Sequence, residues 1–124
     1  MAWLSNEILD GGLDVLDVSG TRLDITSQEA TTYGNATTDG TYSLGYKTGL
    51  AIPAPSERGA GGREVIVPEI TDGTVTETAT ATHYAITNGV DTLYATGSLS
   101  AGQAVTDGNT FTLTSFTIGI PDPA

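Results

Sequence analysis

The chain contains no cysteine, which excludes disulfides, thiolate nucleophiles and thiolate-bound zinc. Cations are nearly as scarce. Four Lys and Arg stand against 15 Asp and Glu, a net charge of −11, and from Glu64 to Ala124 there is neither Lys nor Arg. Binding to a phosphate backbone or an anionic bilayer depends on cations, so neither nucleic acid nor a membrane is expected as a partner. No apolar run approaches the roughly 20 residues of a membrane span. The opening MAWLSNEILD lacks the basic and apolar blocks of a signal peptide, and synthesis in a cytoplasm is the expectation.

What the chain has in quantity is threonine, 22 residues, together with 16 glycines and 5 prolines. Threonine is β-branched and suits a pleated, half-buried surface, while glycine and proline punctuate short strands. The 124 residues are enough for one domain with one hydrophobic core. The expected fold is mainly β, an antiparallel β-sandwich or barrel with a short N-terminal helix. The expected organisation is a single domain over 1–124, helical over 1–20 and β over 21–121.

Leu4, Ile8, Leu9, Leu13 and Leu16 recur at three to five residues, close to one helical face, with Ser5 or Asn6 as a cap and Gly20 as a stop. Gly11 and Gly12 weaken that helix by about 1 kcal/mol each. From Thr21 the period changes to two: Leu23 and Ile25 alternate with Arg22, Asp24 and Thr26, and then QEATTYGNATTDG reads as turn chemistry. Tyr42, Leu44 and Tyr46 are expected on one face of a second strand, and SERGAGGRE as a mobile loop. Pro68 belongs at an edge or a bulge of the strand EVIVPEI. Asp72-Gly73, Asn88-Gly89 and Asp107-Gly108-Asn109 read as turns, Ser100 to Gln103 as a short connection, and TFTLTSFTIGI as one final strand.

Residues with chemical potential are few. His83, the one histidine, sits in TATATHYAITN, where alternation places it with Ala79, Ala81 and Ala85 on a small, flat face. A metal or acid–base centre needs partners of defined type at short spacing, and the sequence pairs none with it. No nucleophile elbow, phosphate loop or EF-hand occurs, and 15 acids can be paired in too many ways to single out two. The expectation is a protein that is not an enzyme and has no cofactor and no metal. His83 reads as a packing or interface residue. Arg58 and Arg63 fall in a cationic stretch that can lie against a carboxylate surface, and Trp3 and Leu4 are candidate contacts at the N-terminal end.

The segment ATHYAITNGVDTLYATGSLSAGQAVTDGNTFTLTSFTIGIPDP has the form Ala-Thr-His, a hairpin, L-x-A-x-G-x-L and then V-x-x-G-x-T-F-x-L, and RLDITSQEATTY precedes it. Together these resemble a group of small all-β bacteriophage virion proteins: head decoration, head-fibre and tail-fibre-like components. The resemblance implies a structural role on the virion. The leading expectation is a capsid decoration or cement protein on the outer surface of a phage head, made in the host bacterial cytoplasm. Its partner would be the major capsid protein, which it binds as a homo-oligomer. The alternative is a tail-fibre or head-fibre module for a host receptor or carbohydrate, with Tyr33, Tyr42, Tyr46 and Tyr94 as its aromatic platform.

Overall fold

A computed structural model describes residues 6–38 and 40–121, with side chains described from residue 11 onward. The chain order is α1 (Asn6–Ser19), β1 (Arg22–Thr26), α2 (Tyr33–Thr37), β2 (Ser43–Thr48), β3 (Ser56–Glu57), β4 (Arg63–Val67), β5 (Ile70–Val75), β6 (Ala79–Thr87), β7 (Leu93–Val105), β8 (Thr110–Leu113) and β9 (Phe116–Ile120). The fold is mainly β, with all strand pairs antiparallel. Six strands in the order β7-β6-β1-β2-β5-β8 curl into a half-barrel, and β3-β4-β9 form a smaller sheet.

The main core lies inside that half-barrel. Leu23 and Ile25 of β1, Leu44 of β2, Val75 of β5, Ile86 of β6 and Phe111 of β8 meet Val65 and Val67 of β4 there. Burying each such side chain contributes about 1.5–3 kcal/mol. Leu13 and Leu16 bring α1 into the same core, over β4 and β9. Gly20 ends the helix, its N–H donating to the Leu16 carbonyl at 3.0 Å. Gly11 and Gly12 do not break α1; both are exposed, and packing on one face supplies what their propensity lacks.

The segment read as turn chemistry holds a second helix. In α2, Thr32 Oγ1 accepts from the Asn35 N–H, and Asn35 Oδ1 accepts from the Thr32 N–H, both at 3.1 Å. This reciprocal cap stabilises a helix too short to show a periodic pattern. Its Ala36 packs with Ala30 and Ala85 on the outer face of β1 and β6. β1 is consequently buried on both faces, and Asp24 and Thr26, expected on a polar outer side, are both 0% exposed.

Bulges explain most other departures from simple alternation. Ile25 pairs with Gly45 and Thr26 with Ser43, leaving Leu44 as an extra residue. Leu44 therefore enters the main core while Tyr42 joins the alanine cluster and Tyr46 pairs with Asp24. A second shift between Ala81 and His83 sends Ala81 into the main core. His83 is left with Ala85 on the other side, and the four-residue face expected from alternation does not form.

Asp72-Gly73 is not a turn. It lies within β5, at a register shift against β8, and Gly73 sits beneath the Phe111 ring. Pro68 marks the point where the chain leaves the smaller sheet and enters the larger one. Ser100 to Gln103 belong to β7, a strand of 13 residues whose pairing with β6 is interrupted there, Leu99 to Gly102 lying opposite Thr82 alone. TFTLTSFTIGI splits at Thr114-Ser115 into β8 and β9, one in each sheet. The turns at Asn88-Gly89 and Asp107-Gly108-Asn109 form as expected, with Gly89 at φ +75° and Gly108 at φ +88°.

Candidate functional site

The residues singled out in the sequence occupy separate places. Trp3 and Leu4 lie outside the described residues. Arg58 and Arg63 belong to the smaller sheet: SERGAGGRE is a tight connection that begins in β3 and returns in β4, with Ser56 opposite Glu64 and Glu57 opposite Arg63. Arg58 Nη1 donates to the Gly61 carbonyl at 2.8 Å, and its stem lies against Gly119 of β9. Arg63 Nη2 donates to the Pro55 carbonyl at 3.2 Å. His83 is on the larger sheet, half-buried between Thr26 and Ser98, its Nδ1 at 2.8 Å from Thr82 Oγ1. Thr82 Oγ1 also donates to the Ser27 carbonyl at 2.9 Å.

The strongest polar cluster is one that the sequence did not single out. Arg22 Nε donates to Asp24 Oδ1 at 2.8 Å and Nη2 to Oδ2 at 3.0 Å, a two-pronged pair on one strand face. Ser43 Oγ donates to the same carboxylate at 2.7 Å. The guanidinium lies 4.6 Å from the Tyr46 ring centroid and reaches the Thr37 carbonyl at the end of α2 at 3.3 Å. Bonding to Asp24 raises the Arg22 pKa further above its ordinary value, against the opposing effect of burial. The cluster ties α2 to the sheet, and its signal was the Arg-x-Asp spacing that places both side chains on one face of a strand.

An opening lies between the edge strand β7 and the end of β8 with the start of β9. It is a cavity of about 620 Å³ walled by Ser98 to Gln103 on one side and Thr112 to Thr117 on the other. Tyr84 and Phe116 form its floor, with ring centroids 4.5 Å apart, and Leu99 and Leu113 flank them. Burial pushes the Tyr84 phenol pKa up. None of the described residues lining the cavity is charged.

Charge is segregated on a larger scale as well. From Leu93 to Pro121 the one charged residue is Asp107, although most of β7, β8 and β9 is exposed or half-buried. The acids Asp14, Glu29, Glu57, Glu69, Asp72 and Asp91 are exposed elsewhere. Among the described residues, no three His, Asp or Glu side chains converge as a metal site requires, and no helix is long and apolar enough to cross a membrane. No family model, curated protein or solved structure matches the chain.

Proposed function

We propose that the protein is a structural virion component that decorates the outer surface of a bacteriophage head, binds the major capsid protein and reinforces the shell. The observation that carries this reading is the strand-rich stretch from Leu93 to Pro121, charged at Asp107 alone, on a chain of net charge −11. Interface cores are depleted of charged residues, and short hydroxyl and small apolar side chains meet a repeated surface without burying charge. The acidic remainder then points away from the shell, where like charge keeps particles that carry many copies apart. The resemblance of the C-terminal half to small phage virion proteins supports the same role.

The alternative reading, a receptor- or carbohydrate-binding module of a tail fibre or head fibre, draws on exposed aromatic residues. Tyr33, Tyr42, Tyr46 and Tyr94 are all half-buried. Tyr42 packs on the alanine cluster, Tyr46 lies under Arg22 and Tyr94 packs on the main core. Their engagement favours the decoration role.

The test compares complete particles with particles lacking this protein under heat and pressure. The proposal expects the depleted shells to rupture at lower temperature and lower pressure, and restoration on adding the purified protein back. Equal resistance of the two preparations contradicts it.

A further inference from the structure

Two interruptions of the strand pattern build the cavity. In β7, Gln103 pairs with Ala81 and Ser98 with His83, so Leu99 to Gly102 face Thr82 alone and bulge from the ladder. On the other side the chain crosses between the sheets: β8 ends at Leu113, Thr114 and Ser115 form the link, and β9 begins at Phe116 in the smaller sheet. Bulges re-aim side chains beside functional sites, and the mouths of barrel-like sheets are common ligand positions. The volume of about 620 Å³ falls within the range of small-ligand pockets, roughly 300–1,000 Å³.

The lining is of two kinds. Tyr84, Leu99, Leu113 and Phe116 are half-buried and pack on the main core, so the two aromatic rings are held in place with part of their surface toward the cavity. Beside them Ser100, Thr114 and Ser115 are exposed, and among the described residues no hydrogen bond occupies their hydroxyls.

Gln103 stands between the two kinds. Its Nε2 donates to the Thr112 carbonyl at 3.2 Å, which sets the orientation of the carboxamide, while Oε1 is buried without a hydrogen-bond partner. A buried acceptor without a donor is costly, and a hydroxyl entering from the cavity relieves that cost as the side chain turns to meet it.

These properties select a class of ligand. A charged ligand would shed its water here and meet no opposite charge. A wholly apolar one would leave Gln103 Oε1 unpaired and cover the hydroxyls without bonding to them. A neutral sugar has both surfaces: its ring C–H groups form an apolar face that suits the negative face of an aromatic ring, and its hydroxyls donate and accept at the edge. We infer that the cavity is a binding site for a neutral sugar, an uncharged hexose unit or disaccharide seated on Tyr84 and Phe116 and held at its edge by Gln103, Ser100, Thr114 and Ser115.

None of the tyrosines weighed above as a carbohydrate platform lines this cavity. The inference also stands apart from the capsid reading. A sugar bound here and a shell docked over the same strands would compete, so the free protein is the species to test.

The purified protein is titrated with cellobiose, maltose and lactose, with the 6′-phosphate of each as its anionic counterpart, and with cyclohexanol as an apolar ring. Amide resonances report where each one binds. The expected result is that at least one disaccharide shifts the Gln103 side-chain amide and the backbone of Ser98 to Gly102 and Thr112 to Thr117, with a Kd of about 10 mM or below. Its phosphate ester and cyclohexanol bind at least about tenfold more weakly. Gln103→Leu and Phe116→Leu each weaken the disaccharide by about threefold to tenfold, with amide exchange in β1 and β6 unchanged. Should one variant lose its fold, the other decides.

No shift at the cavity with any of the three disaccharides overturns the inference. Cyclohexanol or the phosphate ester binding as tightly as the sugar overturns it too, as does sugar binding that the folded variants leave unchanged. Since no particle enters the experiment, its failure is separate from failure of the shell comparison.

Discussion

The Tyr84 ring lies over Gly97, its cross-strand partner, so closely that a Cβ at Gly97 would stand 2.7 Å from the ring. Phe111 covers Gly73, its partner on β5, in the same way, and a Cβ there would run into the ring. In both pairs an aromatic residue on one strand uses the space left by a missing side chain on the next.

Gly73→Ala therefore forces Phe111, which is 2% exposed, out of its place. Overpacking of this kind costs about 1–3 kcal/mol. Gly11→Ala, in α1 with nothing near its Cβ position, gains about 0.5–1 kcal/mol from helix propensity. Urea denaturation of the two variants checks the pair, and the opposite signs are the diagnostic result.

Removing Arg22 leaves the Asp24 carboxylate buried with its main partner gone. Arg22→Ala is expected to cost about 3 kcal/mol, the lower end of the range for breaking a buried pair because the arginine is partly exposed. Exchange protection of α2 should fall with it, since Arg22 also holds the Thr37 carbonyl. Unfolding midpoints and amide exchange over Tyr33 to Thr37 measure the two effects.

Thr26 Oγ1 is buried and makes no hydrogen bond. Thr26→Val keeps the shape and removes the unpaired hydroxyl, for which about 1–2 kcal/mol of stabilisation is expected. Denaturant midpoints of the variant and the parent decide the sign.

The Tyr84 phenol is raised by burial alone. The sign follows from which form the fold disfavours: the phenolate. Stability from this group is full below the ordinary tyrosine value of about 10 and is lost as pH rises through the higher value in the folded state. Phenolate absorbance should show one tyrosine ionising late, and Tyr84→Phe should remove that step.

Period-two patterning in TRLDITS located β1, the alternating run TVTETATATHYAIT reads as one long strand where β5 ends at Val75 and β6 begins at Ala79, and the turn chemistry of Asn88-Gly89 located the hairpin that follows. Alternation alone could not reveal α2, whose five residues depend on the reciprocal cap between Thr32 and Asn35. It also could not place Ala81 and His83 on opposite sides, because the register shift between them comes from the partner strand, where Leu99 to Gly102 of β7 face Thr82 alone. Asp72-Gly73 misled for a related reason: glycine suits a turn and also the space under an aromatic ring. The gap between β7 and β8 was illegible because their sequences suit a hairpin. Tertiary anchoring of the turn at Val75 and Thr78 parts the arms.

The central claim is that the charge-poor strands β7, β8 and β9 dock on the outside of a phage head. Electron cryomicroscopy of the intact particle, with this protein placed in the density, tests it most directly. The account predicts copies on the outer surface of the head with Leu93 to Pro121 toward the shell and the acidic side toward solvent. Copies found only on the tail, or seated on the shell through the acidic side, would contradict it.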